Sequence, residues 1–516
     1  MDSYDVVVVG AGHNGLTAAA YLARAGLSVL VLERLDHVGG AAVSEQAFAG
    51  LPTRLSRYSY LVSLLPDTVV RDLGLDISLT SRETASYTPF VRDGVADGLL
   101  VERREGQDTR ESFRRLTGGD EQYAAWRAFY ADVERVAQVV APTLTEPLLR
   151  DKEIAAQVAP AIWEQLVERP LGEAIERRFK DDLVRGVVAT DALIGTFASL
   201  HSPSLVQNRC FLYHLIGNGT GEWRVPVGGM GAVTTALAKA ASDAGAQLVT
   251  GAGVSAITDD GTVRWHDGTF EHAVSARFVL ANVAPWVLQI LRGGPADPET
   301  KPEGAQLKIN LLLSRLPRLR SGIDPAVAFA GTLHLAEGYD ELETAYAEAA
   351  AGRLPTRLPG EVYCHSLTDP SILGDVPTGT HTLTYFGLHT PARLFDADPA
   401  AAKREAVARA IASLDEVLAE PLMSCVAHDS AGEPCIEAKI PQDVETEVAM
   451  PGGHIFHGDL EWPWASARVA LDTPAARWGV ETDHPAVLLC GSGARRGGAV
   501  SGLGGHNAAQ AVLESL

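Results

Sequence analysis

The sharpest chemical signal in the sequence is Gly10-Ala-Gly12-His-Asn-Gly15, followed eighteen residues after its last glycine by Glu33. Gly10 permits a tight turn after a strand. Gly12 lets the backbone approach a pyrophosphate, and Gly15 lets a helix lie close to a sheet. A helix opening there presents free N–H groups to phosphate, and His13 and Asn14 sit inside that loop. Glu33 can accept both hydroxyls of a ribose, and its charge would repel a 2′-phosphate, which disfavours NADP. A glycine pattern of this kind is weak alone. It gains weight from the strand before it, the helix after it and the acid in place.

Other residue types invite weaker readings. His454 and His457, with Asp459 nearby, have spacing that could suggest a metal. On a strand the two rings would point to opposite faces, and no third ligand is evident, so no metal is expected. Trp462 and Trp464 could line a substrate cavity or pack in the core, and Arg57, Tyr58 and His454 are cavity candidates of the same kind. The stripe Trp126, Phe129, Val133 and Val136 reads as core. Five cysteines carry no C-x-x-C pair, which excludes a dithiol relay and zinc-ligand spacing and fits a reducing compartment. No Ser/His/Asp or Cys/His nucleophile stands out. Hydride transfer needs none: it needs a C–H placed near the acceptor and water kept away.

These residues need elements to hold them. Asp5–Val9 is a short buried β-run, Asn14–Arg24 a helix and Ser28–Glu33 a second strand, together the start of a doubly wound sheet. From about Gly118 to Ala198 the apolar spacing is helical, and this stretch reads as a cap. A second helix opens at Val227-Gly-Gly-Met-Gly and runs through Ala240. Strands are expected at Ala246–Ile257 and Ala276–Leu280 with a polar hairpin at Gly261–Phe270, then at Leu307–Leu313, Thr380–Phe386 and Ala486–Cys490. Ala401–Val417 reads as an amphipathic helix and Asn507–Leu513 as the last one. The Pro/Gly clusters near 294–304 and 351–360 read as loops. The length of 516 residues suits two interleaved domains. The net charge of −22 argues against nucleic acid or an anionic membrane surface as partner. With no signal peptide and no apolar stretch long enough to span a bilayer, a cytoplasmic location is expected.

A second glycine pair, Gly39-Gly40, with Ala41 and Ala42 after it, resembles the extension in glutathione-reductase-type folds that meets the pyrophosphate of FAD. Seven ordered segments then resemble the phytoene desaturase-like family of FAD-dependent oxidoreductases, on the branch of pyridine nucleotide-disulfide oxidoreductase domain-containing protein 2 and the desaturase-type carotenoid ketolases. They are GAGHNGLTAAAYLARAG at 10–26, LERLDHVGGAAVSE at 32–45, SRYSYLVSLLPD at 56–67, IGTFASLHSPS at 194–204, VGGMGAV at 227–233, GGHIFHGDL at 452–460 and LCGSGARRGGAVSGLGGHNAA at 489–509. The resemblance implies an α/β fold: a Rossmann-like FAD-binding domain of the glutathione-reductase/amine-oxidase type (1–75, 223–300 and 441–516) with an inserted mixed α+β substrate domain and helical cap (76–222 and 301–440).

It also implies roles. Gly10, Gly12, Gly15, Glu33, Arg34, Gly39, Gly40, Ala41 and Ala42 would bind the ADP moiety, with Val254 meeting adenine through its backbone. Gly491, Gly498, Ala499 and Val500 would form the loop under the isoalloxazine, ahead of a helix opening near Ser501. The chain departs from relatives at Leu35 and Ala41, where amine oxidases carry arginine. It departs from its branch at Arg495-Arg496, usually His-Pro, and at His506, usually Arg. Arg495 and His506 therefore join the cavity candidates. The expected function is noncovalent FAD taking a hydride from a C–C or C–N bond of a small-to-medium hydrophobic substrate, with oxygen or a quinone-like acceptor reoxidising the flavin. Carotenoid chemistry and a non-enzymatic lipid or protein carrier are the rival expectations.

Overall fold

The computed structural model describes residues 2–516. The valine run ending Asp2–Val9 is fully buried, as a strand covered on both faces must be. It pairs in parallel with Val29–Leu32 on one side and with Val274–Ala281 of the long strand Glu271–Ala281 on the other. Gln247–Val249 and Val487–Leu489 extend this parallel set at its two flanks. On the other edge of the long strand, Glu271–Ser275 pairs antiparallel with Thr262–His266, which pairs with Gly253–Ile257. These seven strands form one sheet. His13–Arg24, Met230–Asp243 and Leu503–Glu514 are its principal covering helices.

A second seven-stranded sheet runs in the order Ile436–Lys439, Leu307–Leu313, His381–Gly387, Gly360–Tyr363, Thr332–Leu335, Thr84–Arg92 and Val95–Glu102. It is antiparallel except between Thr332–Leu335 and Thr84–Arg92. Helices between 107 and 216 form a third body, whose core contains Trp126, Phe129, Val133 and Val136. The fold is the Rossmann-like α/β architecture expected of an FAD protein.

Two local expectations need correction. Ala246–Ile257 is not one strand. It breaks after Val249, turns through Gly251 at φ +67° and resumes at Gly253 in the antiparallel meander. The break is held by Gly251 N–H donating to Leu35 O and Ala252 N–H to Glu33 O, both at 2.7 Å. The last helix begins at Leu503, four residues before Asn507, with Gly502 as its left-handed cap. Gly504 and Gly505 read as loop residues, yet they serve close packing. A Cβ on Gly504 would lie 2.6 Å from Gly491 O, and one on Gly505 would lie 1.9 Å from Asn14 O.

Candidate active site

The first strand ends at Gly10, at φ +97° a position that favours glycine, whose N–H donates to Leu32 O at 2.8 Å. A Cβ on Gly15 would lie 2.2 Å from Gly10 O, so helix and strand meet at a distance only glycine allows. Gly12 caps the helix His13–Arg24 with no side chain to satisfy its first N–H groups. Gly39 N–H donates to Ala11 O at 2.9 Å, and a Cβ on Gly40 would sit 3.3 Å from the Gly12 Cα. Glu33 is buried and braces the same turn, accepting from Ala11 N–H at 2.7 Å and Leu35 N–H at 2.9 Å. The clamp between Leu35 and Gly251 leads directly into Val254, where the register of the meander shifts.

Asn282, at the end of the long strand, was not visible as a site residue in the sequence. Its backbone N–H donates to Val9 O and its side chain to Gly10 O, both at 2.9 Å. The only sequence signal was a polar residue closing the buried run ARFVLA. Arg34 reaches outward to Glu447 O at 2.9 Å. Ala41 O accepts from the Ser59 hydroxyl and Ala42 O from the Thr234 hydroxyl, each at 2.7 Å, which pins the second glycine pair. His13 Nε2 and Asn14 Oδ1 are buried without hydrogen-bond partners. An uncapped helix start, close glycines and orphaned polar atoms fit the diphosphate and ribose of FAD, the cofactor of this fold.

The C-terminal loop returns to the same place. Asn14 donates to Gly497 O at 3.2 Å, and His13 lies against the Ala499 backbone. Burial pulls the His13 imidazole down to about 4, with the Ala499 backbone bond opposing, so the ring is neutral at physiological pH. Ala499 is left-handed at φ +49°. His13, Ala41, Ser492, Ala499 and Val500 form one wall of a cavity of about 190 Å³. Gly498 does not line it. A Cβ there would meet the Tyr213 hydroxyl at 2.8 Å and Leu460 at 3.0 Å, so this glycine makes room for Tyr213, where cofactor clearance was expected.

The opposite wall comes from the second sheet and the helical layer. It carries Lys308, Glu361, Tyr363, Phe386, Asp191 and Trp223, with Arg82 beside them. Lys308 is buried in the strand Leu307–Leu313. Its Nζ donates to Ser56 O and Tyr58 O, both at 2.6 Å, and lies 4.6 Å from the centre of the Tyr60 ring. Burial drives this amine well below the ordinary lysine range; Glu437 opposes the shift and Arg57 adds to it. Burial also raises Asp191 to about 7 and Glu361 to about 8, with the Tyr363 hydroxyl donating to Glu361. None of Lys308, Glu361 and Asp191 is conspicuous in sequence, since each stands alone in an apolar stretch and only the tertiary fold gathers them.

The remaining candidates separate. Tyr58 lines the cavity, its hydroxyl donating to Glu447. Arg57 is engaged with Glu45 and Glu437 at 2.5 Å each and braces the wall from behind. Trp462 and Trp464 stack at 4.9 Å, and Trp464 meets Trp163 at 5.1 Å. They border a different groove, with Arg495, which pairs with Glu461 at 2.6 Å. Arg496 is buried and donates to Thr143 O and Glu146 O at 2.7 Å, stapling the C-terminal loop to the helical layer. His506 is buried against Tyr21 and Trp478, away from the cavity, because the early start of the last helix turns it into the helix interface.

His454 and His457 are not on a strand. They follow the turn Pro451–Gly453, and His457 is left-handed at φ +66°. His454 Nε2 lies 3.9 Å from Asp459 Oδ1. Burial takes His457 down to about 3, and the nearby rings of His454 and His13 contribute.

Comparison with known proteins places this geometry. A family model described as flavin containing amine oxidoreductase matches residues 15–429. An uncharacterized protein of Mycobacterium tuberculosis is 52% identical over 99% of this chain and 97% of its own length. Pyridine nucleotide-disulfide oxidoreductase domain-containing protein 2 of Mus musculus is 29% identical, covering 99% of this chain and 94% of its own. Among solved structures, a putrescine oxidase variant aligns over 100% of both chains with TM-score 0.58 and 17% identity. Cyclohexylamine oxidase from Brevibacterium oxydans aligns over 99% of both with TM-score 0.57 and 17% identity. At such identities the likeness speaks for the fold.

Proposed function

Since the chain belongs to the flavin-containing amine oxidoreductase family and is an FAD-dependent oxidoreductase, we propose that it oxidises a C–N or C–C single bond of a small-to-medium hydrophobic substrate held in the cavity between His13 and Lys308. The observation that carries this reading is the cavity itself. It is bounded on one side by the glycine loop and the C-terminal loop, and on the other by an aromatic wall containing a buried amine.

FAD, when bound, supplies the hydride acceptor. The chain's own groups do the rest. The walls exclude water, and Tyr60, Trp223, Tyr363 and Phe386 orient an apolar body. Burial lowers the pKa of the Lys308 amine, and in its deprotonated form it can give its two N–H groups to Ser56 O and Tyr58 O and keep a lone pair. That lone pair suits it to take the proton that leaves the substrate nitrogen or the adjacent carbon as hydride departs. Oxygen or a quinone-like acceptor then restores the flavin. The reading is tested by mixing FAD-loaded protein anaerobically with a panel of primary, secondary and cyclic amines and of small unsaturated hydrocarbons. Bleaching of the visible flavin band by a member of the panel supports it. A flavin that dithionite reduces and no member of the panel does counts against it.

A further inference from the structure

We propose that His334, Glu337 and Glu361 form a binding site for one divalent transition-metal cation in the sheet wall of the cavity. His334 and Glu361 are direct cross-strand partners in the antiparallel pair Thr332–Leu335 and Gly360–Tyr363. Their side chains therefore project from the same face of the sheet. Glu337 lies just past the end of the first of these strands. Ala336, left-handed at φ +51°, turns the chain there. One ligand atom from each of the three residues lies within 4.8 Å of the other two.

The hydrogen-bond pattern leaves those atoms free. His334 Nδ1 is 2.8 Å from the Thr88 hydroxyl, so its Nε2 is the nitrogen left to bind. That Nε2 is 3.8 Å from Glu361 Oε1, too far for a hydrogen bond. It is close to the separation of two ligand atoms that each sit ~2.0–2.2 Å from one ion. The other oxygen of Glu361 accepts from the Tyr363 hydroxyl. Thr88 and Tyr363 thus hold the ligands from behind, as outer partners do in metal sites. Glu337 is the decisive residue. It is 1% exposed, and its carboxylate has the Thr190 hydroxyl beside it but no hydrogen bond of good geometry to either oxygen. A carboxyl taken out of water in this way either keeps its proton or is ionised beside a counter-charge such as a metal ion.

The surrounding charge bears on the same choice. Asp191, Glu337 and Glu361 bear on one another, and Arg82 is the cation that acts on Glu361 and His334. Burial holds these three carboxyls toward their protonated forms, and a divalent ion binding there would displace protons from its carboxyl ligands. One imidazole and two carboxylates suit Mn²⁺, Fe²⁺ or Zn²⁺ better than soft, thiol-seeking ions. Because Glu361 lines the cavity, an ion held by the three residues would lie beside that space. The sequence hid this set, since His334 and Glu337 stand 24 or more residues before Glu361 and none lies in a metal-binding motif.

The proposal does not depend on the substrate reading and is tested without turnover. FAD-loaded protein is stripped with a chelator, then titrated with Mn²⁺ by electron paramagnetic resonance and with Zn²⁺ by calorimetry. One saturable ion per chain is expected. Glu337→Gln and Glu361→Gln, each nearly isosteric, should weaken it at least about tenfold while FAD content stays unchanged. No saturable binding of either ion overturns the proposal, as does binding that neither variant affects. A carboxyl infrared band lost in Glu337→Gln, in wild-type protein that binds no ion, would show that a proton fills the role instead. If the variants do not retain FAD, the Co²⁺ form of the unaltered chain decides. Nitrogen coupling from one histidine supports the site, and its absence overturns it.

Discussion

Replacing Lys308 is the most searching perturbation of the cavity. Lys308→Met keeps the length and the apolar stem and removes the amine. If the amine takes a proton in the transition state, flavin reduction should slow by about 10²–10⁴-fold, the range of a positioned general base. At ~1.36 kcal/mol per factor of ten, that is ~2.7–5.4 kcal/mol of barrier. The change also strips the donor from Ser56 O and Tyr58 O. Those carbonyls are only partly buried, so the stability cost is set at about 1 kcal/mol each, the low end for an unmade hydrogen bond. Lys308→Arg separates the two effects, since a guanidinium can still donate to both carbonyls but stays charged and cannot accept a proton. The assay is anaerobic stopped-flow reduction across pH with FAD occupancy checked for each variant. The Lys308 pKa is lowered by burial, so its base form grows as pH rises through a value well below the usual lysine range. The wild-type rate should climb on that limb and flatten above it, and the limb should vanish in both variants. An Arg variant within about threefold of wild type, or a limb that survives in Met, would refute the role, because a lost base costs at least ~10².

Four further outcomes are expected. Gly15→Val drives a side chain into Gly10 O; overpacking of ~1–3 kcal/mol or more should lower both melting temperature and FAD content, read by differential scanning fluorimetry and absorbance. Glu33→Gln keeps one acceptor for Ala11 or Leu35 but loses the charge-assisted bonds, so FAD affinity should fall by ~1.5–3 kcal/mol, measured by fluorescence titration of apoprotein. Trp462→Ala lies on the outer groove and should leave the substrate KM unchanged, whereas Tyr60→Ala in the cavity should raise it. FAD is held without a covalent bond, so acid precipitation should leave the yellow colour in the supernatant, and a coloured pellet would contradict this.

Legibility followed chain locality. The glycine turn, Glu33 and the buried valine strand lie within 33 residues of one another, and their spacing carries the phosphate-binding logic directly. The parallel sheet was readable because strands buried on both faces are continuous apolar runs. Gly504 and Gly505 misled because glycine marks loops and close helix packing alike, and only the neighbouring Asn14 O and Cys490 O tell the two apart. Trp462 and Trp464 were drawn toward the cavity by residue type and His506 by its departure from the family pattern, yet stacking and helix packing claim them. The second wall was invisible for the opposite reason. Lys308 and Asp191 are isolated polar residues in apolar stretches, Glu337 opens an acidic run with Asp340 and Glu341, and only the strand order and the helical layer, which no local pattern encodes, bring them to Glu361.

The central claim, that a carbon-bound hydrogen leaves a substrate seated in this cavity, is tested most directly by an isotope measurement. Once a bleaching substrate is found, the protium and deuterium forms at the oxidised carbon are compared in anaerobic single-turnover reduction of the flavin, in wild type and in Tyr60→Ala. The account predicts that deuterium slows bleaching in both proteins and that the Tyr60 change weakens substrate saturation. Equal rates for the two isotopes together with saturation untouched by Tyr60→Ala would contradict it.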